Sequence, residues 1–141
     1  MPFASAAEAL ARVRRFCLSL PDTSERPSHG APTFFVSAKH SFVTFQDDHH
    51  GDGRLALWCA APEGAQAMLV EAAPEHYFRP PYVGHRGWLG VRLDRQAEWE
   101  EVAGVIEDAW LTRAPARLRE RIEGFAERMS GEPVAYRPPR P

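Results

Sequence analysis

Long hydrophobic runs are missing from this chain: the longest stretch without a polar side chain or proline, Leu55 to Ala61, is seven residues. A membrane helix needs about twenty, so no membrane role is expected. Met1 to Ser5 carries neither the basic residues nor the apolar segment of a secretory leader, and the expectation is a cytoplasmic protein. Cysteine is scarce too. Cys17 and Cys59 lie in apolar surroundings and read as buried thiols, not as a disulfide framework. Lysine is nearly absent, Lys39 standing alone among 17 Lys and Arg. The formal net charge of -2 excludes a general nucleic-acid sponge. Also missing are the phosphate-binding GxxxxGK[ST], the dinucleotide GxGxxG, the Gly-x-Ser-x-Gly elbow, and Cys-x-x-Cys or His-x-x-x-His spacings. With no catalytic constellation to name, the chain is expected to be no enzyme and to carry neither cofactor nor metal.

What is present is the composition of a globular domain, 44% hydrophobic and 26% charged over 141 residues. Ser5 with Glu8 matches a capping box. Behind it Ala6, Leu10, Val13, Cys17 and Leu20 form one apolar helical stripe ending at Pro21. Turn formers dominate from Pro21 to Pro32. Strands are expected at Thr33 to Val36, Ser41 to Gln46, Arg54 to Cys59 and Trp88 to Leu93. Pro62 suits the start of a short helix with Ala65, Met68, Leu69 and Ala72 as its apolar face. The stretch from Pro74 to Gly87, rich in proline and aromatics, reads as extended. A core-covering helix follows Asp94, with Trp99, Val102, Ala103, Ile106, Ala109 and Trp110 on one side. Another opens at Pro115 with Leu118, Ile122, Phe125 and Met129. These elements predict a single α+β domain over 1–141, with its core at about 6–130 and a flexible tail at 131–141. Its antiparallel sheet should carry helices mainly on one face.

Strand parity separates two surfaces. Leu55, Leu57 and Cys59 oppose Arg54, Ala56 and Trp58; Leu89, Val91 and Leu93 oppose Trp88, Gly90 and Arg92. If helices cover the aliphatic side, the side carrying arginine and tryptophan is a candidate contact surface. The loop Asp47-Asp48-His49-His50-Gly51-Asp52 holds the densest group of metal-ligand types, but its spacing favours a solvated hairpin turn. His29 and Lys39 read either as structural hairpin residues or as anion contacts.

The runs Leu20-Pro21, His29-Gly30-x-Pro32-Thr33-Phe34-x-Val36-x-x-Lys39 and Tyr82-Val83-Gly84-x-Arg86-Gly87-Trp88-x-Gly90-Val91-x-Leu93 resemble the MmcQ/YjbR family of small bacterial proteins. The resemblance implies a compact, frataxin-like α+β domain, catalogued as DNA-binding with a double-wing arrangement of hairpins. DNA is then the implied partner. Lys39, Arg79 and Arg86 would meet phosphates from hairpin or loop positions, with Arg54, Arg92 and Trp88 as secondary contacts on the sheet. Two departures stand out: Ser37-Ala38 replaces a glycine-rich turn, so the same tight turn is not expected, and Trp58 replaces a common lysine. The alternative is a protein-binding or small-ligand adaptor, monomeric or homodimeric, that uses Trp58 and Trp88 in a pocket or interface.

Overall fold

The computed structural model of the chain describes residues 3–121. Helix α1 (Ala6–Ser19) opens at Ser5, whose hydroxyl accepts from the Glu8 amide at 3.1 Å. The Glu8 carboxylate reaches back to the Ala4 amide at 3.2 Å, so the capping box forms with its return bond one residue early. The expected stripe is buried at Val13, Cys17 and Leu20, and Ala9 joins it, while Ala6 and Leu10 stay half-exposed.

Six strands follow in one antiparallel sheet: β1 (Thr23–Ser28), β2 (Ala31–Val36), β3 (His40–Asp47), β4 (Leu55–Cys59), β5 (Tyr77–Phe78) and β6 (Leu89–Arg92). Their order across the sheet is β1-β2-β3-β4-β6-β5. Strand β1 overturns the reading of Pro21 to Pro32 as turn. Its Pro27 lacks an amide, and β1 lies at the sheet edge, where a strand tolerates that loss. The bidentate pair of Arg14 with Glu25, at 2.6 and 2.8 Å, ties this edge to α1. The Ser37-Ala38 departure is corrected as well. Both residues take positive φ, 53° and 60°, and the tight turn closes without glycine. The Ser37 amide donates to the Asp22 carbonyl at 2.9 Å, and the Arg26 guanidinium donates to the Ala38 carbonyl at 2.9 Å, which offsets the left-handed cost.

Helix α2 (Ala65–Ala72) begins three residues after Pro62, because Gly64 at φ +85° turns the chain first. The stretch from Pro74 to Gly87 is folded where an extended chain was expected: it contains β5 and a 3-10 turn at Gly84–Arg86. Helix α3 (Trp99–Arg113) buries Val102, Val105, Ile106, Ala109 and Trp110. Residues 116–121 are helical, in agreement with a helix after Pro115; Ile122, Phe125, Met129 and the expected tail at 131–141 lie outside the described residues.

The parity reading holds. Phe34, Val43, Cys59 and Leu89 align across one face, as do Phe45, Leu57 and Val91, and all are buried in the core shared with α1 and α3. On the other face Thr33, Thr44, Trp58 and Gly90 form one rung, and Ala56 pairs with Arg92 in another. An irregularity opposite Phe34 and Phe35 leaves Phe42 without a ladder partner. Through this bulge the consecutive Phe42 and Val43 are both fully buried, and Ser41 turns toward the polar face.

Asp94 closes the far end of β4. Its carboxylate accepts from the Leu55 amide at 3.2 Å and from Arg92 at 2.9 and 3.1 Å. Burial opposes its ionisation, yet these donors win and hold its pKa below the ordinary 3.8. A carboxyl depressed in the folded state adds stability above its unfolded pKa, and that stability is lost as pH falls through the folded value. Thermal melts between pH 6 and pH 2.5 should therefore show the wild type losing more stability below about pH 4 than Asp94→Asn. Parallel curves would remove Asp94 from the acid response.

Candidate functional site

The polar sheet face is hollowed into a pocket of about 580 Å³, within the size range of small-molecule sites. Its floor is the rung of Thr33, Thr44 and Trp58, with Gln46 beside it. The Thr33 and Thr44 hydroxyls lie 3.2 Å apart, and the Gln46 amide nitrogen donates to the Thr44 hydroxyl at 3.1 Å. These polar groups are fixed by each other before any ligand arrives.

The walls come from turns. Ser28 and His29 stand at the β1–β2 hairpin, where His29 (φ 51°) and Gly30 (φ 79°) make a two-residue turn. His49 and His50 come from the β3–β4 connection, and Tyr82, Val83, Arg86 and Trp88 from the segment between β5 and β6. That segment is anchored from behind, since the Gln66 amide nitrogen on α2 donates to the Gly84 and Trp88 carbonyls. The His49 ring packs edge-on against Trp58 at 4.7 Å and against Tyr82 at 5.8 Å between centroids. Tyr82 is 70% exposed and held at φ +65°, a rare backbone state for an aromatic residue, where its ring borders the cavity.

Two features give the pocket its chemistry. Trp58 is 95% buried, yet its indole Nε1–H meets no acceptor among the described residues. The comparison is Trp110, whose indole donates to the Pro21 carbonyl at 3.0 Å. A buried donor without an acceptor costs about 1–3 kcal/mol. Among the described residues no aspartate or glutamate lines the cavity, whereas Arg86 and three histidines do.

Of the six residues singled out for nucleic acid, two line the pocket and four do not. Arg86 and Trp88 line the pocket, with the guanidinium carbon 5.7 Å from the Trp88 ring centroid. Lys39 is exposed in the β2–β3 turn. Arg79 is exposed after β5, its stem lying where a side chain on Gly84 would be. Arg54 lies over the Phe78 ring at 4.1 Å, and Arg92 is paired with Asp94 at 2.9 Å, so both guanidiniums are already engaged.

The acidic loop is an exposed turn, as expected, with His49 half-buried. Asp48 and Asp52 accept from the Gly53 and Arg54 amides at 2.7 and 2.9 Å, which shapes the turn and delivers His49 to Trp58. No metal-holding group of three or more His, Cys, Asp or Glu occurs among the described residues. Sequence reasoning missed the role of His49, as well as Thr33, Thr44 and Gln46; only the alternation of β3 hinted that Thr44 and Gln46 share a face. Cys17 and Cys59 are free and buried on the core side, where burial pushes both thiols far up.

The YjbR family model matches residues 18–112. The chain belongs to the YjbR family. Among solved structures this YjbR domain is similar to the Deinococcus radiodurans protein DR2400, of domain family DUF419, with a TM-score of 0.63 and 18% identity over 94% of each chain. At that identity the likeness speaks for the α+β fold alone. No curated protein matches the chain. No helix among the described residues is long and apolar enough to cross a membrane.

Proposed function

We propose that this YjbR domain is a binding module, not an enzyme, and that its site is the pocket on the polar sheet face. The observation that carries the reading is the preformed cavity of about 580 Å³ lined by the aromatic rings of Trp58, Trp88, Tyr82 and His49. Ring edges and faces from Trp58, Trp88, Tyr82 and His49 favour a flat ligand, which stacks at low entropic cost. The reading corresponds to the small-ligand alternative raised by the sequence.

Indole resonances test it directly. Adding adenosine, a neutral planar heterocycle with acceptors on its edge, should shift the Trp58 indole signal and leave that of Trp110 in place. Tyr82→Ala removes an exposed stacking ring and should weaken binding about tenfold, the effect of about 1.5 kcal/mol. A Trp58 signal that stays fixed across a panel of planar heterocycles would overturn the reading.

DNA contact is the second reading, favoured by the exposed Lys39, Arg79 and Arg86, which have no ion-pair partner among the described residues. Three phosphate contacts would make binding fall with a log-log salt slope of about -3 on duplex DNA. Fluorescence anisotropy of labelled duplex and single strands at about 50 and 200 mM salt measures that slope. Arg86→Ala should lower it by about one. Absence of binding at both salts would dispose of this reading.

A further inference from the structure

We infer that the pocket selects planar aromatic acids, with the ring on its buried floor and the carboxylate at its rim, held by Arg86. The inference rests on the pocket reading and adds to it the charge of the ligand and the end of the cavity at which that charge sits.

The cavity is graded from floor to rim. Thr33, Trp58 and Trp88 are buried, whereas His29, His50, Tyr82 and Arg86 are exposed. The polar groups of the floor are neutral and already engaged: the Thr33 hydroxyl donates to the Ala31 carbonyl at 3.1 Å, the Thr44 hydroxyl lies 3.4 Å from the Pro32 carbonyl, and the Gln46 amide nitrogen donates to Thr44. A charged group placed against this floor would lose its hydration without an opposite charge to replace it. The floor therefore takes the uncharged ring, and any charge on the ligand belongs at the rim.

The rim itself has two sides. His29, His49 and His50 also line a smaller neighbouring cavity together with Asp47, so that side already has a carboxylate. The Arg86 side has none among the described residues, and the Arg86 guanidinium has no hydrogen-bond or ion-pair partner there. Elsewhere in this protein guanidiniums beside the sheet are neutralised: Arg14 by Glu25 and Arg92 by Asp94. Arg86 lies over the Trp88 ring, its guanidinium carbon 5.7 Å from the centroid, and this contact leaves its N–H donors unused. The planar fork of those donors matches the two oxygens of a carboxylate. Since Arg86 and the Trp88 wall adjoin, a carboxylate carried directly on a ring system reaches one while the ring packs on the other.

Matched probes separate this inference from the pocket reading. Naphthoate and its amide have the same shape and differ in charge at neutral pH; acetate supplies the carboxylate without the ring. Each is titrated into the full chain by calorimetry at about 50 mM salt, where screening of an exposed charge is weak, while the indole resonances are followed. The expected result is that naphthoate binds at least about fivefold more tightly than the amide, the gain of one well-formed charged pair at a rim. Both should shift the Trp58 signal and leave that of Trp110 in place. Arg86→Gln should bring the ratio of acid to amide affinity below about twofold, and Arg86→Lys, which keeps the charge but not the fork, should leave an intermediate ratio.

Equal affinity for the acid and the amide, with Trp58 shifting in both, would overturn the preference for an anion and leave the pocket reading standing. A preference for the acid that survives intact in Arg86→Gln would overturn the assignment of the carboxylate to Arg86. Acetate binding as tightly as naphthoate, with the Trp58 signal fixed throughout, would sink the placement of the ring. No response to any of the three probes counts against both the inference and the pocket reading beneath it.

Discussion

Replacing Trp110 by alanine is expected to cost about 3–5 kcal/mol and to lower the melting temperature by roughly 10–20 °C. Trp110 is fully buried in the middle of the core, on the inner face of α3. Truncation removes a large apolar side chain and leaves a cavity that a close-packed interior fills only in part. Its indole also donates to the Pro21 carbonyl, 89 residues away, which pins α3 to the connection between α1 and β1. Trp110→Phe separates the two effects: most of the ring remains, the bond is lost, and a cost of about 1–2 kcal/mol is expected. Denaturant unfolding gives both values. A Trp110→Ala chain less than about 1 kcal/mol below wild type would show that the α3 face is not the core of this fold.

Gly90→Ala should be the most damaging single-methyl addition on the polar face. The added carbon would sit 2.5–2.6 Å from three atoms of the Phe78 ring. Real carbons do not approach so closely, and the ring is confined: Phe78 is 8% exposed, with the Arg54 guanidinium lying 4.1 Å over it. Overpacking of this kind costs about 1–3 kcal/mol. Because Gly90 pairs with Trp58 in register, displacement of Phe78 disturbs the wall next to the pocket as well as the edge strand β5. A double-mutant cycle supplies the check. If Phe78 is the obstacle, the penalty of Gly90→Ala shrinks by more than half in a Phe78→Ala background. An unchanged penalty would assign the role of Gly90 to something other than this close approach.

The two tests probe opposite faces of one sheet, and the faces differ in how far the sequence reveals them. Alternation along β4 and β6 was enough to sort leucines and valines from arginines and tryptophans, since side chains on a strand point alternately to its two sides. It was not enough to tell which arginines are available. Arg54, Arg79, Arg86 and Arg92 look alike in the sequence, and their difference lies in partners: a Phe78 ring, a Gly84 gap, an open cavity and the Asp94 carboxylate. Asp94 and Gly84 lie near their arginines along the chain, whereas Phe78 and the cavity do not.

Local rules made other parts legible from residues alone: the capped start of α1, the apolar face of α3, the burial of Cys17 and Cys59, and the turn after Asp47. Each depends on neighbours within a few positions, where spacing and side-chain chemistry are sufficient. Strand β1 escaped them because its pairing with β2, and not its own composition, makes Pro27 acceptable at an edge. The turn at Ser37-Ala38 escaped for a related reason, being held by Asp22 and Arg26 from β1 and its approach. The pocket belongs wholly to the tertiary structure. His49, Trp58, Tyr82 and Arg86 are spread over 38 positions of sequence, and they meet only because a bulged antiparallel sheet, its turns and the segment anchored by Gln66 bring them to one face. The sequence by itself determined the α+β class, the single core and the two-faced strands; packing decided which polar groups stayed unpaired, because pairing depends on distances that chain order does not encode.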